Sequence, residues 1–401
     1  MKKIELLAPA GNLEKAKIAL LYGADAVYVG GKKFSLRARA SNFDVSDIKE
    51  LCDFSHGLNK KVYVTMNIIP HDDDLEGLKE YLLELENAKV DAIITSSITI
   101  MQKAKEYAPN IERHVSTQTS ITNSRTIKFY EKLGCTRVVL AREVTLDEMQ
   151  LIKNNSNLEL EVFIHGGMCS SYSGRCVLSN HMTKRDANRG GCAHSCRWNY
   201  VLYKGSKRLP PKKLYFNMGS KDLMAIREIP RMIDMNISSL KIEGRMKSTY
   251  YLATVVRCYR KLIDKYYDSK VLTEQDYLEY TEEINKAENR LTSTGFLNGM
   301  VTINEQLYDT REEHPTKEYI GYVLDYDKES KTALIEQRNY FEKGDLVEFF
   351  GPNLENVRTT VNEIIDFETK EELTVARHPL QKLLIKFDLD LKPHDMMRKV
   401  K

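Results

Sequence analysis

The feature that most constrains the fold is an alternation of short apolar segments with helical patterns over about the first 250 residues. Eight segments look like strands: 4–8, 26–30, 61–67, 91–97, 113–118, 137–142, 160–166 and 239–244. Patterns of period 3.6, such as LEGLKEYLLELENAK, separate most of them. Eight strands with intervening helices predict an α/β fold of the TIM-like (β/α)8 barrel type. An open doubly wound sheet is the main competitor, but no G-x-G-x-x-G follows the first strand.

The rest of the chain divides around this barrel. We predict a catalytic barrel domain over 1–290 that includes a cysteine-rich insertion at 166–215, after the seventh strand. A turn-rich linker over 291–318 leads to short β segments at 319–401, which predict a small β-barrel domain. This domain resembles the β-barrel modules of translation factors, which often contact tRNA. The 401 residues contain no apolar run of 18 and no signal-peptide pattern, so we expect a cytoplasmic protein without membrane contact.

Four of the seven cysteines lie in the insertion with the spacing C-x6-C-x15-C-x3-C: Cys169, Cys176, Cys192 and Cys196. Thiolates gathered in this way indicate a soft-metal site. Structural zinc usually uses tighter pairs, whereas the wide first gap suits a 4Fe–4S cluster that takes one thiolate at each iron. Spacing therefore favours the cluster, with zinc as the alternative. The three isolated cysteines, Cys52, Cys135 and Cys258, are interpreted as small buried hydrophobic residues.

Polar residues near the strand ends predict a site at the barrel mouth, where enzymes of this fold place their chemistry. Four arginines fall there: Arg37 and Arg39 after the second strand, Arg142 after the sixth and Arg245 after the eighth. Guanidinium forks pair bidentately with carboxylates or phosphates, so a small anion is the expected ligand. Arg39 and Arg245 are the strongest candidates, and Arg37 the weakest. Glu143 and Glu243 are expected to orient these cations. The predicted catalytic residues are Arg39, Arg142, Arg245, Glu243 and His165, which leads into the cysteines.

The insertion is also strongly basic. From Met182 to Lys213 it has nine Lys or Arg against one acidic residue, Asp186. Such a local excess in a chain of net charge +3 predicts a polyanion partner, and interleaved aromatic residues could stack on unpaired bases. The predicted RNA ligands are Arg185, Arg189, Arg197, Lys207, Arg208, Lys212 and Lys213. The alternative is a solvated loop over the cluster. Trp198, the only tryptophan, is expected to be buried as core.

The segment from Glu161 to Asn180 resembles the signature of the collagenase-like peptidase family. The resemblance is carried by Glu161, Phe163, Gly166, Cys169, Gly174, Cys176 and Ser179. Gly167 departs from the Ala or Ser that is usual in the family. The stretches LLAPAGNLEKAKIALLYGADAVYVGG and SSLKIEGRMKSTYY support the resemblance, which is strong over about residues 4 to 260.

This resemblance implies an iron–sulfur enzyme that hydroxylates RNA. In length and layout the chain is most similar to the prephenate-dependent tRNA uridine 5-hydroxylases of the family. It implies oxidation at carbon 5 of a wobble uridine, with prephenate, a dicarboxylate that the arginines could hold, as oxygen source. In related hydroxylases a fourth cluster ligand can come from a segment in which this chain has Met224, so Cys196 would complete the set.

Two other functions stay open. The family name implies a peptidase, in which Cys169 would act as nucleophile beside His165. Neither H-E-x-x-H nor G-x-S-x-G occurs in the chain, and a Cys–His pair would leave three nearby cysteines without a role. The second alternative is a non-catalytic iron–sulfur protein that binds RNA. A second copy or a related chain as partner is also left open.

Overall fold

The computed structural model describes residues 3–36, 42–209, 215–307 and 318–400. Its centre is a ring of eight parallel strands: β1 Glu5–Pro9, β2 Ala26–Gly30, β3 Lys61–Met66, β4 Ala92–Thr95, β5 Glu112–Val115, β6 Arg137–Val139, β7 Glu159–Gly166 and β8 Ser239–Ile242. Each strand pairs with the next, and β8 pairs with both β1 and β7, which closes the ring. The predicted TIM-like barrel is confirmed, and every predicted segment overlaps one strand. Apolar runs such as that of β2 are buried throughout, as expected for strands covered on both faces.

Helices follow the strands and cover the outside of the barrel. They are α1 Leu13–Leu21, α2 Val45–Gly57, α3 Leu78–Asn87, α4 Ile98–Tyr107, α5 Ser124–Lys132, α6 Leu146–Asn154, α7 Leu178–Thr183, α8 Ile229–Asp234, α9 Thr249–Ser269 and α10 Glu274–Asn285. Local capping fixes their first turns: the Asn12 side chain accepts from the Lys15 N–H before α1, and Thr145 forms a capping box with Glu148 in α6. Among the described helices, none has both the length and the apolar character needed to cross a bilayer.

The segment after the seventh strand contains short elements that periodicity does not reveal. A hairpin pairs Tyr203–Lys204 with Lys207–Arg208. The strand Asp222–Met224 runs antiparallel to the end of β7, and Thr292–Ser293 pairs with it in turn. The first part of the predicted linker therefore packs on the barrel.

The C-terminal region forms an antiparallel sheet domain, so the prediction of a separate all-β domain is confirmed. Its strands are β9 Tyr319–Asp327, β10 Thr332–Gln337, β11 Phe341–Glu342, β12 Leu346–Phe350, β13 Val357–Thr360, β14 Ile364–Asp366, β15 Glu372–Leu373, β16 Val375–Ala376, β17 Lys382–Lys386 and β18 Met396–Lys399. Eight of them follow the order β13-β12-β18-β9-β10-β17-β14-β15, and β11 pairs with β16. Within the described residues, no pairing joins β13 to β15, so the hydrogen-bonded order is linear.

Helix α9 lies between the barrel and the C-terminal domain. On one side the Tyr259 hydroxyl donates to the carbonyl of Ile164 in β7 at 3.2 Å. On the other side the Tyr250 ring stacks on the Tyr319 ring with centroids 5.0 Å apart. The two domains therefore share one buried helix, and the C-terminal sheet is anchored on the flank of the barrel.

Candidate active site and nucleic-acid interface

The cysteine-rich insertion runs from the end of β7 across the carboxyl ends of the barrel strands. The N–H and hydroxyl of Ser173 each donate to the Glu143 carboxylate, after β6, at 2.9 Å. Gly174, at φ +73°, packs on the loop after β5, where a Cβ would lie 2.0 Å from the Gln118 carbonyl oxygen. Only glycine suits that conformation and that close approach. The insertion is thus fastened over the barrel mouth.

A second anchor lies on the opposite side of the mouth, after β3. The Arg189 Nε and Nη2 donate to the two carboxylate oxygens of Asp74, both at 2.8 Å, and the Ile69 N–H donates to the Asn188 carbonyl at 2.9 Å. The hydrogen bond from Arg189 holds the pKa of Asp74 below its ordinary value. Arg189 was expected to bind RNA, but the structure places its fork on a carboxylate of its own chain.

The four clustered cysteines all lie on this insertion. Cys169 is exposed, and Cys176, Cys192 and Cys196 are half-buried. Within the described ranges, no group of three or more His, Cys, Asp or Glu side chains is placed to hold a metal ion. The same four thiols are also ligands of the type that structural zinc takes. A 4Fe–4S cluster is a larger object with one thiolate at each iron, and a donor set of four thiols fits its chemistry.

Arg142 provides a half-buried cation at the mouth. Its guanidinium carbon lies 3.7 Å from the centroid of the Phe163 ring, on β7. In the part of the chain that the structure describes, its only hydrogen bond is from its backbone N–H to the Ser173 hydroxyl, at 3.3 Å. A guanidinium stacked on an aromatic face keeps its in-plane donors available, so Arg142 can receive a carboxylate from the mouth.

Beneath Arg142 the barrel interior holds a buried ion network. The Lys241 Nζ lies 2.6 Å from a Glu161 oxygen, and Arg137 contacts the other oxygen of Glu161 at 3.2 Å. Burial alone would raise the pKa of Glu161, but the charges of Lys241 and Arg137 hold it below its ordinary value. Burial lowers the pKa of Lys241. Buried charges persist only when paired, so this network forms the floor of the mouth.

Arg245 is buried at the side of the mouth, and two of its contacts are with neutral oxygens. Its Nη1 donates to the Ser35 hydroxyl at 2.9 Å and its Nη2 to the Asn42 side-chain oxygen at 2.8 Å. Gly30 makes room for it, since a Cβ there would lie 2.0 Å from the Arg245 Nη2. The structure thus places a second predicted arginine at the strand ends. Two further predicted anion ligands lie outside the described residues: Arg37 and Arg39.

His165 does not face the mouth, and its predicted catalytic role is corrected. Its Nε2 is 2.6 Å from a Glu288 oxygen and its Nδ1 is 3.2 Å from the Tyr259 hydroxyl, on the outer side of β7 against α9. Burial would raise the pKa of Glu288, but the bond and charge of His165 lower it to about 2. Because the imidazole is fully buried and both ring nitrogens are engaged, it cannot serve as base for Cys169.

The two glutamates at the mouth hold the insertion. Glu143 binds Ser173 as described above, and the Glu243 carboxylate accepts from the Gly167 N–H at 3.3 Å. They were expected to orient the arginines. In the structure each carboxylate accepts from a backbone N–H of the cysteine-rich segment and helps to fix its path, and their role toward the arginines stays a prediction.

Among the described residues of the insertion, the basic hairpin is strongly exposed. Lys207 is exposed, and the Arg208 guanidinium carbon lies 5.8 Å from the centroid of the Tyr215 ring. Arg185 faces inward and donates to the Cys192 carbonyl at 3.5 Å. The remaining two predicted RNA ligands lie outside the described residues: Lys212 and Lys213.

Trp198 is not core, so that prediction is wrong. Its side chain is 39% exposed, and Tyr203 and Tyr215 are 60% and 44% exposed. The insertion has little apolar interior of its own, which leaves these rings at its surface beside the hairpin lysines. Together they form what we call the aromatic–basic surface: Trp198, Tyr203, Lys204, Lys207, Arg208 and Tyr215.

Two acidic residues of the site were missed from the sequence, Glu288 and Asp222. The Asp222 side chain is fully buried and lies near three cations: Arg197 and Arg290, both at 3.5 Å, and Lys247 at 4.0 Å. Burial raises the pKa of Asp222. Arg197, a predicted RNA ligand, therefore points inward. In the sequence, the one feature that could have pointed to Asp222 is its position as a charged residue directly before the apolar run LMAI.

Comparison with known proteins covers nearly the whole chain. Residues 11–307 match Peptidase family U32, and residues 315–398 match the Peptidase family U32 C-terminal domain. The chain is 47% identical to tRNA hydroxylation protein P1 of Bacillus subtilis, over 100% of this chain and 96% of that protein. It is 32% identical to tRNA hydroxylation protein P of Escherichia coli, over 88% and 87%.

A relative that is named as a peptidase is also similar to this chain. The collagenase of Porphyromonas gingivalis is 29% identical over 98% of this chain and 97% of that protein. The relatives thus carry different functional names although each aligns with most of this chain. The two family matches together cover both domains of the chain. The chain belongs to peptidase family U32.

Proposed function

We propose that this chain is an iron–sulfur tRNA hydroxylase that adds an oxygen atom at carbon 5 of the wobble uridine, with prephenate as the oxygen source. The observation that carries the proposal is the insertion with four thiols fastened across the mouth of a (β/α)8 barrel, where enzymes of this fold work. The name of the 47% identical Bacillus subtilis relative, a tRNA hydroxylation protein, supports the reaction class.

In this proposal Cys169, Cys176, Cys192 and Cys196 hold one 4Fe–4S cluster. The cluster would supply one-electron chemistry beside the mouth. The wide first gap of the motif favours it over zinc, which usually takes tighter cysteine pairs.

Arg142 is the proposed ligand for one carboxylate of prephenate. Its guanidinium lies over the Phe163 ring and has no ion pair among the described residues, so its donors can serve a ligand at the mouth. Arg245 is the candidate for the other carboxylate, since small hydroxyl and amide groups hold its side chain at the strand ends. Arg142 is half-buried and Arg245 is buried, and charge-assisted bonds are stronger away from bulk water.

The aromatic–basic surface is the proposed entry for tRNA. Lys204 and Lys207 can contact phosphates, and the exposed rings of Trp198 and Tyr203 can stack on unpaired bases. An anticodon loop is already single-stranded, so turning its wobble base toward the mouth costs little.

The peptidase alternative is weakened by His165. A cysteine nucleophile needs a base within hydrogen-bond reach, and the histidine considered for that role, His165, is buried with both ring nitrogens engaged. A non-catalytic RNA-binding protein would not need a stacked arginine open to the barrel mouth.

The proposal is tested with anaerobically prepared protein, unmodified tRNA and prephenate carrying an oxygen isotope label. We expect 5-hydroxyuridine at the wobble position, with the label in the base, by mass spectrometry of digested tRNA. Unlabelled or absent 5-hydroxyuridine from iron-loaded protein would contradict it. Cleavage of a collagen peptide, abolished in Cys169→Ala, would favour the peptidase instead.

A further inference from the structure

Arg197 connects two of the cysteine-bearing turns. It directly follows Cys196 in the chain, and its Nη2 donates to the carbonyl oxygen of Met168 at 3.0 Å. Met168 directly precedes Cys169. One side chain therefore ties the turn that begins the cysteine motif to the turn that ends it, although the two cysteines are 27 positions apart in the sequence.

This guanidinium is held in place from below. Its Nη2 lies 3.5 Å from the Asp222 carboxylate, whose side chain is fully buried. The Met218 N–H donates to the Cys196 carbonyl at 2.8 Å, which fixes the second turn independently. Gly219 packs against the Arg197 stem, where a Cβ would lie 3.5 Å from the Arg197 Cγ. The position of Arg197 is thus set by the protein before any ligand binds.

One nitrogen of the Arg197 guanidinium makes no hydrogen bond within the described residues. The Arg197 Nη1 is buried and has no hydrogen-bond partner there. A buried N–H without an acceptor costs free energy, so such an atom calls for a ligand or a functional reason. This Nη1 atom belongs to Arg197, which follows Cys196 in the chain and is hydrogen-bonded to Met168, the residue before Cys169.

We infer that Arg197 is the positioning residue of the cluster. It holds the Cys169 and Cys196 turns at the separation needed for joint ligation, and its charge offsets the negative charge of four thiolates. This inference rests on the proposed function, because it requires that the four cysteines bind iron. A cation fixed in a partly buried site acts more strongly on nearby charge than it would in water.

The experiment compares Arg197→Met, Arg197→Lys and a matched control, Arg290→Lys. Arg290 shares the Asp222 carboxylate at the same 3.5 Å, and no hydrogen bond joins it to Met168 among the described residues. All variants are reconstituted anaerobically, and three quantities are measured: iron per chain, the rate of iron loss to a chelator, and the reduction potential of the bound cluster. Thermal unfolding of the iron-free proteins reports on the fold.

We expect Arg197→Met to lose iron about tenfold faster than wild type, as for loss of a charge-assisted bond. Its residual cluster should have a lower reduction potential, because removal of a positive charge favours the oxidised, less negative form. Arg197→Lys should restore the potential but only part of the retention, since an ammonium lacks the planar fork. Arg290→Lys should match wild type in both quantities.

Wild-type retention and potential in Arg197→Met would overturn the inference, and so would equal losses in Arg290→Lys, which would indicate general packing around Asp222. If Arg197→Met fails to fold without iron, Arg197→Lys decides: unchanged iron retention there overturns the inference. Failure of the proposed function looks different, because wild type itself would then bind no iron through the four cysteines.

Discussion

The cysteine-rich insertion and the C-terminal sheet domain differ in charge and in packing. Residues 166–215 contain ten Lys or Arg against a single Asp, whereas residues 318–400 contain twelve against seventeen Asp or Glu. The insertion leaves Trp198 and Tyr203 exposed, while the sheet domain buries its own apolar cluster around Phe349. The first has the character of a surface that receives a polyanion, and the second that of a stably folded support.

This difference bears on which domain would bind the proposed tRNA substrate. The β modules of translation factors suggested an RNA role for the C-terminal domain by analogy of fold. Its excess of acidic residues repels phosphates, and many of its cations are engaged in ion pairs, such as Lys343 with Glu372 at 2.8 Å. Local charge and exposure therefore favour the insertion, and fold analogy alone carries little weight.

The largest expected effect is on the free energy of unfolding and comes from the ion pairs that attach the C-terminal sheet domain to α10. Arg398 in β18 is buried and bonds Glu283 of α10 at 2.7 and 2.9 Å, as well as Glu348 of β12. Arg398→Met removes this partner from the buried Glu348 carboxylate and the half-buried Glu283 carboxylate, so we expect a loss of about 3–5 kcal/mol in unfolding free energy. Arg358→Met is the control, because Arg358 bonds the same Glu348 but is 61% exposed. A comparable loss in both variants by chemical denaturation would contradict this account.

The same ion pair predicts how stability depends on pH. Burial raises the pKa of Glu283, but the bonds from Arg398 outweigh this and lower it from 4.5 to about 2. A carboxyl with a depressed folded-state pKa contributes stability that is complete above about pH 4.5 and is lost as pH falls toward 2. Unfolding free energies of Glu283→Gln should fall less steeply over this window than those of wild type, by about 2 kcal/mol. Parallel curves would show that Glu283 does not carry the effect.

The proposed small-anion site gives the next effect. Arg142→Met keeps most of the side-chain volume but removes the fork stacked on Phe163. We expect a loss of about 1.5–3 kcal/mol, or roughly tenfold to a hundredfold in apparent affinity for prephenate. Iron content should be unchanged, which separates a substrate ligand from a structural residue. Arg227→Met, on the outer surface and paired with Glu274, should have no effect on prephenate affinity.

The smallest effect contrasts the two regions directly. Replacing Lys207 and Arg208 by Gln should weaken tRNA binding and lower the salt-dependence slope by about 0.7–0.9 for each phosphate that the protein no longer neutralises. The matching change in the sheet domain, Lys382 and Lys386 to Gln, should alter neither quantity, because that surface is net acidic. The opposite result in a salt titration would transfer RNA binding to the C-terminal domain.

The barrel was predictable because each of its strands is an apolar run set off by helical periodicity, which is local information. The side-chain pairings were not, because they join distant parts of the chain. Arg189 meets Asp74 across 115 positions, and Arg197 meets Asp222 through a three-residue strand too short to recognise. The outward orientation of His165 could not be predicted for the same reason, because its partner Glu288 is 123 positions away in the sequence. Composition was enough to identify the basic segment of the insertion. Only the structure shows that arginines such as Arg189 and Arg197 bind groups of their own chain while lysines such as Lys207 are exposed.

The most direct test of the central claim, that the insertion is the working centre, is the iron content and visible absorbance of anaerobically prepared protein. We expect wild type to bind one 4Fe–4S cluster and single Cys→Ala variants at Cys169, Cys176, Cys192 and Cys196 each to lose it. Cys52→Ala, Cys135→Ala and Cys258→Ala should retain it, because those thiols are buried away from the insertion. A full cluster in Cys196→Ala, together with its loss in one of the three buried-cysteine variants, would contradict the account.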